Sequence, residues 1–166
     1  MEELAELKNN ILTGKYADAL AIIDELEEMS RRDIIRKIES YLIRLLAHLI
    51  KNQLEQRLTN SWIASIRDSI RQIGKLNRMG KNSYYIKPED WESYLEEAIE
   101  AAIDDAAIEV FGGTLKPSTV SARVNRGQII AIAFNLLEFT YGVSGKELSD
   151  RVNLILETLP GAEESL

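Results

Sequence analysis

The segment SRRDIIRKIESYLIRLLAHLIK, Ser30 to Lys51, places Ile34, Ile38, Tyr41, Leu42, Leu45 and Leu49 at every third or fourth position. That spacing lays one apolar stripe along a helix. Ser30, with Asp33 three residues on, has the form of a capping-box start, so the longest helix is expected to open here and run to about Leu58. The segment is also basic. From Arg31 to Lys81 there are twelve Lys/Arg against four Asp/Glu, a balance of +8 in a chain of net charge −7, which leaves −15 on the flanks. Segregated charge of this kind constrains packing and partners, without naming a reaction.

Working outward, Leu4, Leu7, Ile11 and Leu12 predict a short helix over Glu2 to Thr13 closed by Gly14. Tyr16, Ala19, Leu20, Ile23 and Leu26 predict a second helix, its acids Asp24, Glu25, Glu27 and Glu28 mostly on the opposite face, so a helical hairpin is expected. Downstream, Thr59 or Asn60 caps a helix with the stripe Trp62, Ile63, Ile66, Ile70, Ile73 and Leu76, turning Arg67, Arg71, Lys75 and Arg78 outward. Met79 to Lys87 reads as a loop, and Pro88 starts an alanine-rich helix through Phe111 that Gly112-Gly113 ends. Pro117 to Arg126 predicts a short helix, and Gln128 to Tyr141 a strongly apolar one stopped by Gly142. Ser144 and Glu147 form a further capping box before Leu148, Val152, Ile155, Leu156 and Leu159, and the last six residues are expected to fray. No period-two stretch suggests a strand. The expected architecture is all-α, a single-domain helical bundle of about six to eight helices.

Composition narrows the function classes. The chain has 166 residues, 45% apolar and 28% charged, with three prolines and no cysteine. Disulfides, thiolate zinc sites and cysteine nucleophiles are therefore excluded, and a cytoplasmic home is expected. The N-terminus, Met1-Glu2-Glu3-Leu4, is acidic where a secretory signal is basic, and the apolar run Ile129–Leu137 is too short for a membrane span.

No catalytic or cofactor motif stands out. His48 is the single histidine, set among Leu45, Leu46, Leu49 and Ile50, and is expected to be structural at the edge of the core. Helical ribonuclease toxins pair an arginine and a histidine on one helix with four to six residues between, and Arg44 and His48 leave three. Glu96, Glu100 and Asp104, with Glu97, Asp105 and Glu109, form a carboxylate face. A di-metal bundle also needs Glu-x-x-His pairs, which one histidine cannot supply. That face is expected to be solvated or to dock against the basic helices. Lys116 to Arg126 has the small hydroxyl residues and arginines of a helix-turn-helix recognition segment, which makes Arg123 and Arg126 the candidate nucleic-acid contacts. The basic face, with Arg67, Arg71, Lys75 and Arg78 at its centre, is the candidate partner-binding surface.

The runs Asp24-Glu25-Leu26-Glu27-Glu28-Met29 and Leu45-Leu46-Ala47-His48-Leu49-Ile50-Lys51, with Ser61-Trp62 followed by Ile66, Arg67, Arg71 and Ile73, carry a family likeness. Over Leu20 to Ile73 the chain resembles the bacterial, largely cyanobacterial family catalogued as domain of unknown function twenty-nine, and a weaker match continues from Tyr94 to Phe111. Two departures are Ile63, where the family often has a basic residue, and the loop Met79 to Lys87, which lacks its Pro-Ser-Leu. The resemblance implies an all-helical cytosolic protein with no settled activity, substrate or cofactor. It assigns a family-like part of about 1–113 and extra helices over about 117–160. Together these readings predict a non-enzymatic protein–protein interaction module with no metal, cofactor or membrane, binding a protein partner or a second copy as a homodimer. The alternative is a nucleic-acid-linked regulator such as a toxin–antitoxin component.

Overall fold

From Ile38 to Ile50 the apolar stripe is wide enough that Ile38, Leu42, Leu45, Leu46, Leu49 and Ile50 are all buried. Each such side chain contributes about 1.5–3 kcal/mol when removed from water, so this half-helix is what the later elements gather around. In the computed structural model, which describes residues 2–165, it belongs to helix α2, Tyr16–Glu55. Helix α1 is Glu2–Leu12; then come α3, Asn60–Leu76, α4, Trp91–Glu109, and α5, Pro117–Arg123. The chain closes with α6, Arg126–Glu138, α7, Gly145–Leu156, and a single turn, α8, Ala162–Ser165. Among the described residues there is no strand, and the all-α class is as expected.

Two compact units are distinguished, Met1–Arg36 and Lys37–Leu166. The first is the expected hairpin of α1 and the beginning of α2, turned by Gly14 at φ +76° with the Lys15 N–H donating to the Asn10 carbonyl (2.8 Å). The expected helix start at Ser30 is not used. α2 passes through it for 40 residues, because no glycine or proline interrupts Tyr16–Glu55 and a capping sequence acts only where the backbone leaves the helix. α2 also stops at Glu55 rather than Leu58, where Gln56 takes φ +53° and the buried Asn52 amide donates to the carbonyls of Arg57 and Pro160 (2.9 Å each).

In the second unit α4 lies against α5 and α6, and α3 lies against α6 and α7. Ala98, Ala102 and Ala106 are buried along α4 and keep its side chains short where helices approach. Thr59 caps α3 by accepting from the Trp62 N–H (3.1 Å), as the sequence predicts. Pro88 starts a 3₁₀ turn, Pro88–Asp90, and the α-helix begins only at Trp91. The Lys116–Arg126 segment is not one helix. Val124 is extended and Asn125 caps α6 by accepting from the Gln128 N–H (3.2 Å), so Arg123 and Arg126 stand on different elements. Of the last six residues, expected to fray, Gly161 and Ala162 are packed: Ala162 is buried, and a Cβ on Gly161, at φ +77°, would lie 2.7 Å from the Arg57 Cα. Leu166 lies outside the described residues.

The loop after α3 is held by a buried polar hub. The Asn77 amide donates to the Ile86 carbonyl (2.9 Å) and accepts from the Ile86 N–H (2.7 Å). The Tyr141 hydroxyl donates to the same carbonyl (2.7 Å) and accepts from the Trp91 indole (2.6 Å). Burial pushes the Tyr141 phenol up to about 12, against the opposing effect of the Trp91 and Asn77 donors.

Asn77→Ala would leave the Ile86 N–H unpaired in the interior and take one of its two donors from the Ile86 carbonyl, a loss of about 1–3 kcal/mol in urea unfolding. The raised Tyr141 value sets a pH window: its contribution to stability is complete below the ordinary value of 10 and is lost as pH rises through about 12. Tyr141→Phe should flatten that alkaline limb relative to the wild-type chain in pH-dependent unfolding.

Candidate partner groove and histidine cluster

Of the four cations expected to face outward from α3, two are used to hold a wall in place. The Arg67 guanidinium donates to Asn153 Oδ1 on α7 (2.8 Å), and Arg78 donates to the Val143 carbonyl before α7 (3.2 Å). Between these ties runs a groove made of two adjoining hollows of about 320 and 460 Å³ that share Arg71, Gly145 and Leu148. Lys75 and Lys146 stand on its sides, Leu148 and Val152 form an apolar floor, and no carboxylate lines it. Ser144 occupies the cap position of α7, but its side chain makes no capping bond, and Glu147 pairs with Arg151 instead (2.9 Å). The positive end of the α7 dipole is thus left at the groove wall.

Arg71 is restrained by Asp68 one turn before it (2.7 Å), and Asp68 also receives Arg44 (3.0 Å). The Arg71 hydrogen bond, followed by those from Arg44 and Gln72, holds the Asp68 carboxyl below its ordinary range. Lys75 and Arg71 are exposed and line the groove with an ammonium and a guanidinium.

His48 sits in a different place, a polar hollow of about 300 Å³ lined by Arg44, Lys51, Asp105, Ile108 and Glu109. Its Nδ1 is 2.8 Å from the Arg44 carbonyl, an acceptor only, so Nδ1 carries the hydrogen. The buried Ser65 hydroxyl lies 3.4 Å from the same nitrogen and accepts from Arg44 Nε (2.8 Å). With its Nδ1 hydrogen committed to the Arg44 carbonyl, the imidazole presents no acceptor to the Ser65 hydroxyl, as a nucleophile–base dyad requires. Arg44 in turn is committed to Ser65 and Asp68 rather than extended beside the imidazole.

The carboxylate face of α4 divides. Glu109 pairs with Lys51, whose side chain is 6% exposed, so at this point acid does meet the basic helix. Glu100 pairs with Arg126 (2.9 Å) on α6, and Arg126 also donates to the Ser121 carbonyl (2.9 Å). The Arg126 hydrogen bond lowers the Glu100 carboxyl from its usual value, and the Glu100 hydrogen bond raises the Arg126 guanidinium. Of the two candidate nucleic-acid contacts, Arg123 is exposed and Arg126 is engaged within the fold. Among the described residues no three His, Cys, Asp or Glu side chains converge as metal ligands.

Sequence patterning pointed to Arg67, Arg71, Lys75 and Arg78, but not to Lys146, Val143 or Asn153, which complete the groove. Those residues sit about 75 positions away, and only the packing of α7 on α3 brings them in. A family model described as domain of unknown function DUF29 matches residues 2–122, which takes in α1 to α4 and nearly all of α5. No curated protein and no solved structure matches the chain.

Burial, ahead of the charges on Lys51 and Arg44, lowers the His48 value from 6.5, while the Arg44 carbonyl and Glu109 act in the opposite sense. His48 therefore adds stability that is complete above pH 6.5 and is lost as pH falls through the lowered folded value. An NMR titration should find the Nδ1–H tautomer at neutral pH and a midpoint below the ordinary one.

Proposed function

Because that match covers most of its length, the chain belongs to the DUF29 family, and we propose that it is a helical protein–protein interaction module that takes an acidic segment of a partner protein into the α3–α7 groove. The observation that carries this reading is the groove lining: Arg67, Arg71, Lys75, Arg78 and Lys146 around an apolar floor, with no carboxylate among them, in a chain of net charge −7. Arg71 is paired with Asp68, as Lys51 is with Glu109 and Arg126 with Glu100, whereas among the described residues Lys75 and Lys146 make no ion pair. Cations set around an apolar-lined groove suit a segment that alternates carboxylates with apolar side chains, the charges steering encounter and the apolar contacts holding it.

The apolar floor favours a polypeptide over a nucleic acid, since phosphate contact gains nothing from Leu148 and Val152. The overall negative charge works in the same direction, because nonspecific attraction to phosphate grows with net positive charge. No helix among the described residues is long and apolar enough to cross a membrane. A cytoplasmic home is part of the same proposal.

Affinity capture from the native cell, with and without nuclease, should be run on the wild type and on Arg71→Glu/Lys75→Glu. The reading predicts a protein retained by the wild type irrespective of nuclease. Its retention should fall at least about tenfold in the variant, the factor that roughly 1.4 kcal/mol of lost attraction carries. Retention that disappears with nuclease, or that survives the charge reversal, contradicts it.

A further inference from the structure

The first unit, α1 with the beginning of α2, has almost no interior. Among its described residues only Asn10 and Ala19 are buried, while Leu4, Ile11, Leu12, Tyr16, Leu20 and Met29 are exposed, with Leu12 79% and Tyr16 65% accessible. The second unit, by contrast, buries whole stripes of every long helix. Two amphipathic helices cannot enclose a core by themselves, and an apolar surface left open on a folded unit marks a docking face.

The charge pattern identifies what covers the part of it around Met29. Along α2, Asp24, Glu28, Arg32 and Arg36 follow one another at four-residue intervals and therefore form one row on one side of the helix. The row reads acid, acid, base, base. Among the described residues Asp24, Glu28 and Arg32 make no ion pair within the chain, and Arg36 reaches Asp33 at 3.5 Å with both side chains largely exposed. A row of this kind is complementary to itself when reversed. Laid antiparallel on a second copy about a two-fold axis at the level of Ser30, Asp24 faces Arg36 of the other copy and Glu28 faces Arg32. The same two contacts then recur on the other side of the axis, as an isologous interface demands. In a parallel arrangement every residue of the row would face its own charge.

We infer that residues 2–36 are a self-association element: the hairpins of two copies pair antiparallel through the Asp24–Glu28–Arg32–Arg36 row, and the association covers apolar side chains, Met29 foremost, that one hairpin leaves in water. The charged row sets orientation and register, since exposed pairs add only about 0–1 kcal/mol each, and the apolar contact supplies the affinity. This surface is separate from the α3–α7 groove, so each stands or falls by its own test.

The test uses the full chain and two variants, an all-basic one, Asp24→Arg/Glu28→Arg, and an all-acidic one, Arg32→Glu/Arg36→Glu. Sedimentation equilibrium should give the wild type as a dimer, twice the 18.8 kDa chain mass. Each variant alone should dissociate at least about tenfold more readily, because like charges then face each other. Mixing the two should restore the dimer, which also shows that both variants are folded. A wild type that is monomeric at high micromolar concentration overturns the inference. So do variants that dimerise as well as the wild type, or a mixture that stays monomeric while both variants retain wild-type helix content by circular dichroism.

Discussion

The burial of the second half of α2 is the constraint from which the rest of the structure follows. Ile38, Leu42, Leu45, Leu46, Leu49 and Ile50 occupy more of the helix circumference than a surface helix devotes to its core, and all are removed from water. Covering them takes several neighbours, which explains why α3 and α4 carry unbroken stripes such as Ile63, Ile66, Ile70 and Ile73, and Leu95, Ile99 and Ile103. The polar residues of α2 are confined to the narrow sector that remains. There Lys51 becomes buried, which is tolerable only because the Glu109 carboxylate is brought to it.

Charge is arranged by the same packing. Where an acidic helix side meets a basic one, the pairs close within the fold, as with Lys51 and Glu109 or Arg126 and Glu100. α7 behaves differently. It reaches α3 through Asn153, a neutral acceptor for Arg67, and adds Lys146 rather than a carboxylate. Lys75 and Lys146 therefore face the groove with no acidic partner among the described residues, beside Arg71, which is paired with Asp68, and the proposed docking role rests on this local excess of positive charge within an acidic chain.

Much of the fold was legible in the sequence because helical periodicity and caps are local. The stripes of α2, α3 and α4, the Thr59 cap and the turn at Gly14 follow from residues within a few positions of one another. Capping signals failed where local chemistry was overruled: Ser30 sits inside a helix that nothing interrupts, and the side chain of Ser144 leaves the α7 start unbonded. The site was half legible. The α3 cations lie on the face opposite an apolar stripe and can be read off a helical pattern, whereas Lys146 and Asn153 join them only through α7 packing. The hub of Asn77, Ile86, Trp91 and Tyr141 was likewise invisible, since its members are joined by hydrogen bonds across 64 positions of chain.

In the proposed role, the α3–α7 groove is the place where this protein receives negative charge. The most direct measurement is an amide NMR titration of the full chain with a short polyglutamate peptide. It should give saturable shifts at Arg71, Lys75, Arg78 and Gly145 to Ser149, with His48 and Arg123 unmoved. Shifts centred on the His48 hollow or on Arg123, or none that saturate in the groove, would contradict it.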